Sequence, residues 1–178
     1  MSVHEKISHL TSRDILAAKG QRKLAALTAY DYSSAMLVDE AGVDIILVGD
    51  SLGMVMLGRE DTLSVTLEEC IHHTKAVLRG TRRALVVADM PFMSYEAGVN
   101  EALRNAARLC QKSGVRAVKV EGGSWILPQI EALVRAGIPV MGHLGLTPQR
   151  AAVLGGFKVQ AKNAEAALQL IKDALALQ

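Results

Sequence analysis

The feature that most constrains this chain is a repeated junction: a helical stretch ends on glycine and passes at once into a short β-rich run. "EAGVD", "KSGVRA" and "RAGIPV" each have it. Glycine just past a helix adopts the left-handed turn that ends it, so the apolar residues that follow enter a sheet directly. Strand-like runs fall at 23–31, 43–49, 84–89, 117–121 and 138–143, and helical patterns at 33–42, 66–80, 98–114, 126–137 and 163–177. Thr66 and Glu69 have the spacing of a capping box at the start of the second helix. Strands of this length separated by helices are the pattern of βαβ units, so the expected fold class is α/β with a parallel sheet. Five strands suit a complete doubly wound sheet. They equally suit most of a closed barrel, which needs eight strands and typically about 250 residues. Both place ligands at the carboxyl ends of their strands, and periodicity does not separate them.

With 178 residues the chain is long enough for one well-buried core, and a single domain over 1–178 is expected. Only 3% of residues are aromatic although half are hydrophobic, so that core is built from Ala, Val, Leu and Ile. Twenty basic against 18 acidic residues leave a net charge of +2, which gives no electrostatic reason to expect nucleic acid or an anionic membrane as partner. The one basic knot, "RGTRR" at 79–83, stands at a helix end where cations are favoured, and is expected to be a solvated cap. The first ten residues show no signal-peptide pattern, and no apolar run reaches the ~20 residues that span a bilayer. Cys70 and Cys110 lie in helical patterns without metal-type spacing, as free packed thiols do. The expectation is a soluble, cytoplasmic protein.

Three acids close three different strands: Asp50, Asp89 and Glu121. In a parallel sheet those ends share one rim, where unpaired anions would repel one another and raise their own pKa values. A divalent cation removes the conflict, and all-oxygen ligation suits Mg²⁺. Singly, each acid also reads as a helix cap or an ion-pair partner. Lys119 lies two residues before Glu121, so both project from one face of the strand. It pairs either with these acids or with an anionic ligand. Ser51 follows Asp50; Tyr30 and Asp31 end the first strand; His143 ends the fifth, in a hydrogen-bonding or a catalytic role. His72 and His73 are assigned to the surface. There is no GxGxxG fingerprint and no P-loop, while 51–65 and 144–160 are long connections suited to lids.

"LTAYDYSSA", "ILVGDSLGMVMLG", "VVADMPFMSY", "VKVEGG", "GHLGLTPQ" and "GGFKVQ", in this order, resemble the ketopantoate hydroxymethyltransferase family over nearly the whole chain. The resemblance implies a (β/α)₈ TIM barrel of the phosphoenolpyruvate/pyruvate type, represented here by its first five βα units, and a homodecamer of two pentameric rings. It implies transfer of a hydroxymethyl group from 5,10-methylenetetrahydrofolate to 3-methyl-2-oxobutanoate, giving 2-dehydropantoate for pantothenate biosynthesis. By motif match, Asp50, Asp89 and Glu121 would hold Mg²⁺, and Asp50, Ser51, Asp89 and Lys119 would contact the keto acid. The family continues past the equivalent of Gln178, so the last three strands and the glutamate serving as general base are expected beyond this segment. Two alternatives stand beside this reading. One is a related Mg²⁺-dependent α-keto-acid lyase or mutase of the phosphoenolpyruvate mutase and isocitrate lyase type. The other is an inactive or partner-binding fragment, since an incomplete barrel exposes two strand edges.

Overall fold

The computed structural model describes residues 9–178. Its strands are β1 (Ala26–Thr28), β2 (Ile45–Val48), β3 (Leu85–Asp89), β4 (Val118–Glu121) and β5 (Val140–His143). The helices are α1 (Ser12–Ala17), α2 (Tyr32–Glu40), α3 (Leu52–Val55), α4 (Leu67–Gly80), α5 (Val99–Ser113), α6 (Leu127–Arg135), α7 (Ala151–Leu154) and α8 (Ala164–Leu177). The glycines of the three junctions, Gly42, Gly114 and Gly137, have φ of +84°, +89° and +85°. Their left-handed turns end α2, α5 and α6, and any side chain there would be strained. Thr66 and Glu69 form the expected capping box, each side chain bonded to the other's backbone N–H.

Strand order decides between the two architectures. All five strands are parallel and run β1-β2-β3-β4-β5 without a reversal. A doubly wound sheet must reverse once and carry helices on both faces. Here α2, α4, α5 and α6 contact one another in succession along one face. The fold is an arc of barrel-type βα units. Ile46, Val48, Val86, Ala88, Val118 and Val120 pack toward the helices. The alternate residues Ile45, Leu47, Leu85, Val87 and Met141 form a second cluster on the concave face, joined by Leu10 and Ile15. That alternation follows from the period of two along a strand.

Several elements differ from the sequence expectation. β1 has three laddered residues rather than nine, because only β2 pairs with it and its side chains are exposed. The short α1 was not foreseen; Thr11 and Asp14 cap it reciprocally, and Ile15 joins the inner cluster. Two single-turn helices, α3 and α7, occupy parts of the expected loops.

The basic knot is a clasp rather than a solvated cap. The buried Asp39 of α2 accepts the backbone N–H groups of Arg82 (2.8 Å), Arg83 (3.1 Å) and Ala84 (2.8 Å). The Arg83 guanidinium reaches the carbonyls of Gly42 and Val43 and stands 3.6 Å from Asp44. Arg79 alone keeps the expected place in the last turn of α4. Cys70 is buried, Cys110 half-buried, and both are free. Among the described residues no helix is long and apolar enough to cross a membrane.

Asp39→Ala should therefore destabilise the chain by about 3 kcal/mol, since it strands backbone donors in a dry site. A lowered urea midpoint with unchanged slope is the expected result, and Asp39→Asn should lose less because its carbonyl oxygen still accepts.

Candidate active site

Register brings the expected residues to one rim. β3 and β4 align so that Asp89 lies beside Lys119, and β4 and β5 so that Glu121 lies beside His143. Parity then aims Lys119 and Glu121 to the same, concave side. Asp50 follows β2 after Gly49, and its backbone N–H donates to Asp89 Oδ2 at 2.9 Å, tying the ends of β2 and β3 together. Lys119 Nζ stands 2.7 Å from Asp89 Oδ1 and 3.6 Å from Glu121 Oε1. His143 Nδ1 lies 2.9 Å from Glu121 Oε1. Asp50, Asp89, Lys119 and Glu121 are all buried.

Gly49 explains itself in this geometry. A Cβ there would come 2.8 Å from Ser51 Oγ and 3.3 Å from Asp89 Oδ2, so a side chain would displace groups of the site. Ser51 Oγ and the Tyr30 hydroxyl are 2.7 Å apart. Tyr30 is itself held by His73, whose Nδ1 lies 2.6 Å from the Tyr30 carbonyl oxygen and must donate to it. His73 is thus a brace between α4 and the end of β1 rather than a surface residue; His72 is exposed as expected.

The electrostatics are those of a buried anionic cluster short of counter-charge. Burial, and next the neighbouring Asp89, push the Asp50 carboxyl up to about 7. Burial also raises Asp89, against the opposing pull of Lys119. Burial disfavours the Lys119 charge, yet Asp89, Glu121 and Asp50 outweigh it and hold the ammonium above the usual lysine range. Asp89 Oδ1 is buried and accepts no hydrogen bond apart from its ion pair with Lys119. Such under-satisfied carboxylates at a strand-end rim make it a candidate functional site.

The donor set suits a hard divalent cation, because every group is a carboxylate oxygen. Asp50 and Asp89 already stand together. Glu121 is engaged by His143 through Oε1 and by the Gln149 backbone N–H through Oε2, at 2.9 and 3.0 Å. Among the described residues no three His, Cys, Asp or Glu side chains surround one point as they stand.

Sequence reasoning missed Gln149. Its Nε2 donates to Asp50 Oδ2 (2.8 Å) and to the Met90 carbonyl (3.0 Å), and its Oε1 lies 2.7 Å from the Tyr95 hydroxyl. It also missed Tyr95, fully buried, whose hydroxyl accepts the Glu121 N–H at 3.0 Å. Both residues fall inside quoted motifs, "GHLGLTPQ" and "VVADMPFMSY", and that was the only available signal.

Comparison with known proteins agrees with this fold. Among solved structures, the arc resembles phosphonopyruvate hydrolase, with a TM-score of 0.68 over 94% of this chain and 59% of that one at 14% identity. It also resembles 2,3-dimethylmalate lyase, a member of the phosphoenolpyruvate mutase/isocitrate lyase superfamily, with a TM-score of 0.62 over 95% and 60% at 17% identity. At such identity these likenesses concern the fold. Sequence relatives are far nearer. A protein named 3-methyl-2-oxobutanoate hydroxymethyltransferase from Nitratidesulfovibrio vulgaris strain DP4 is 72% identical over 169 residues, covering 95% of this chain and 55% of its own length. One of the same name from Oleidesulfovibrio alaskensis is 62% identical over all 178 residues, and 62% of its length is covered. The chain thus spans little more than half the length of these relatives. The family model described as ketopantoate hydroxymethyltransferase matches residues 9–178. The chain belongs to the ketopantoate hydroxymethyltransferase family.

Proposed function

We propose that this chain forms the metal and keto-acid part of a 3-methyl-2-oxobutanoate hydroxymethyltransferase, which takes its one-carbon unit from 5,10-methylenetetrahydrofolate and yields 2-dehydropantoate. The observation that carries the reading is the buried Asp50–Asp89–Lys119–Glu121 cluster, set at the strand ends of a chain with such relatives. Three carboxylates against one ammonium leave two negative charges when all are ionised, which a divalent cation would balance. Asp50, Asp89 and Glu121 would hold Mg²⁺, with Asp89 Oδ1 unshared except with Lys119. A same-fold phosphonopyruvate hydrolase was crystallised in complex with oxalate and Mg²⁺.

Mg²⁺, when bound, would supply the positive charge that makes the C3 proton of an α-keto acid easier to remove. The chain's own residues do the rest of the work at this rim. Lys119 projects its ammonium to the concave side, where it offsets the charge of a bound carboxylate. Ser51, oriented by the Tyr30 hydroxyl, donates or accepts one hydrogen bond at the same mouth. The buried helix-facing side of β2–β4 fixes these groups from behind. The proton-accepting base is assigned to none of these residues, in line with the expectation of a glutamate outside them. Decameric assembly and a place in pantothenate biosynthesis rest on family resemblance, and a cytoplasmic location on the free cysteines and the sequence patterning. Calorimetric titration of the purified chain with 3-methyl-2-oxobutanoate tests the reading, since it needs no proton-accepting base: binding that depends on Mg²⁺ is expected, and binding indifferent to Mg²⁺ would refute it.

Two substitutions probe the roles. Asp50→Asn or Asp89→Asn should weaken Mg²⁺ binding at least tenfold, or about 1.4 kcal/mol, because each removes an anion from a doubly charged centre. Unchanged affinity by calorimetry in both would refute a shared metal site. Lys119→Ala should weaken keto-acid binding by about tenfold while leaving Mg²⁺ affinity the same or higher, since a competing cation is lost. Titration of 3-methyl-2-oxobutanoate at saturating Mg²⁺ separates the two effects.

A further inference from the structure

The connection after β5 sends one side chain into the carboxylate cluster from above. Gln149 sits in a single 3₁₀ turn, Pro148–Arg150, and is 4% exposed. A neutral amide buried among carboxylates is costly unless every polar atom is paired, and here every one is. The amide Nε2 serves Asp50 Oδ2 and the Met90 carbonyl, the amide Oε1 meets the Tyr95 hydroxyl, and the backbone N–H serves Glu121 Oε2. From this geometry we infer that Gln149 is a positioning residue, one whose side chain fixes the Asp50 carboxylate for the cation. The inference rests on the metal reading given above.

The amide has only one workable orientation. Asp50 Oδ2 and the Met90 carbonyl are both acceptors, so the group facing them must be the NH₂. The Tyr95 hydroxyl already accepts the Glu121 N–H, which leaves its single hydrogen for Gln149 Oε1, the nearer of its two acceptors at 2.7 Å against 3.1 Å for the Glu121 carbonyl. Turning the amide over would set oxygen against two oxygens and NH₂ against a donor. Tyr95 therefore orients Gln149, and Gln149 orients Asp50.

The consequence is a choice of oxygens. With Asp50 Oδ2 held by Gln149 and Asp89 Oδ2 held by the Asp50 N–H, each carboxylate has one oxygen committed to the protein. Among the described residues Asp89 Oδ1 has only its ion pair with Lys119, and the Gln149 amide, by taking Asp50 Oδ2, leaves Oδ1 as that carboxylate's other oxygen. These are the oxygens left for a cation. Groups that hold ligands in this way shape a site as much as the ligands do, and their loss usually lowers metal affinity by about 10- to 100-fold.

Mn²⁺ binding to the 178-residue chain, followed by electron paramagnetic resonance, tests the inference. Gln149→Met keeps the length and bulk of the side chain but donates nothing. It should weaken Mn²⁺ binding by about tenfold or more and alter the spectrum of the bound ion, while the circular dichroism stays that of the folded parent and the thermal midpoint falls as the Met90 carbonyl and Tyr95 hydroxyl lose their partner. Tyr95→Phe should produce a smaller loss in the same direction. A folded Gln149→Met variant with the parent's Mn²⁺ affinity and spectrum overturns the proposal. If that variant does not fold, Tyr95→Phe decides: weaker binding supports the proposal and parental binding overturns it. A parent chain that binds no Mn²⁺ overturns the metal reading and this inference with it, a result distinct from parental binding in the variants.

Discussion

The in-register alignment of Asp89 with Lys119, two residues that meet across neighbouring parallel strands, is the constraint on which the site depends. In a parallel sheet register fixes which side chains are level, and the period of two fixes the face they share. A slip of one residue between β3 and β4 would turn Lys119 into the helix layer, where Val118 and Val120 now pack. Asp89 would then lack its cation, and Asp50, whose N–H grips Asp89, would lose its anchor in turn. The apolar alternation that specifies the core therefore also specifies the site. Neither needs the other's residues.

The same alternation explains how much of the molecule was legible in the sequence. Strand ends, the glycine junctions and the Lys119–Glu121 parity are local properties of short runs, and a period of two carries them without knowledge of the rest. The choice between a barrel-type arc and a doubly wound sheet was not legible in the periodicity, because it depends on which side each new strand joins; the family motifs carried it, and the strand order agrees with them. Gln149 was not legible either. It lies 99 residues from Asp50, and only the path of the connection after β5 brings the two together. His73 looked like one more residue of an amphipathic helix. Its role arises from where α4 lies against the end of β1. Interactions that run along an element can be read from sequence, whereas those between a loop and a distant strand end cannot.

Two kinds of buried aspartate show where the fold ends and the function begins. The segment "DIILVGD" carries an aspartate on each flank of β2, and by residue type they are equal. Asp44, before the strand, takes a two-pronged contact from Arg22 at 2.7 and 2.9 Å and the Ala25 N–H at 3.0 Å. Arg22 foremost, and then that N–H, hold its carboxyl well below the usual range. Its charge stabilises the fold above the ordinary carboxylate pKa, and that contribution fades as acid titrates the group. Asp50, after the strand, has a single amide donor and an anionic neighbour, and its carboxyl is pushed up to about 7.

A fold under selection for stability alone would treat both flanks alike, because an under-compensated buried charge costs free energy wherever it lies. The asymmetry follows the direction of the strands. At the amino ends Asp39 and Asp44 are saturated with backbone N–H groups and arginine; at the carboxyl ends Asp50 and Asp89 are left partly unmet. In barrel enzymes the carboxyl ends form the reactive face and the amino ends the stabilising one. The unmet charge is thus confined to the face on which the proposed cation and keto acid would bind. That separation lets the amino-end clasps hold the sheet while the rim is left for ligand.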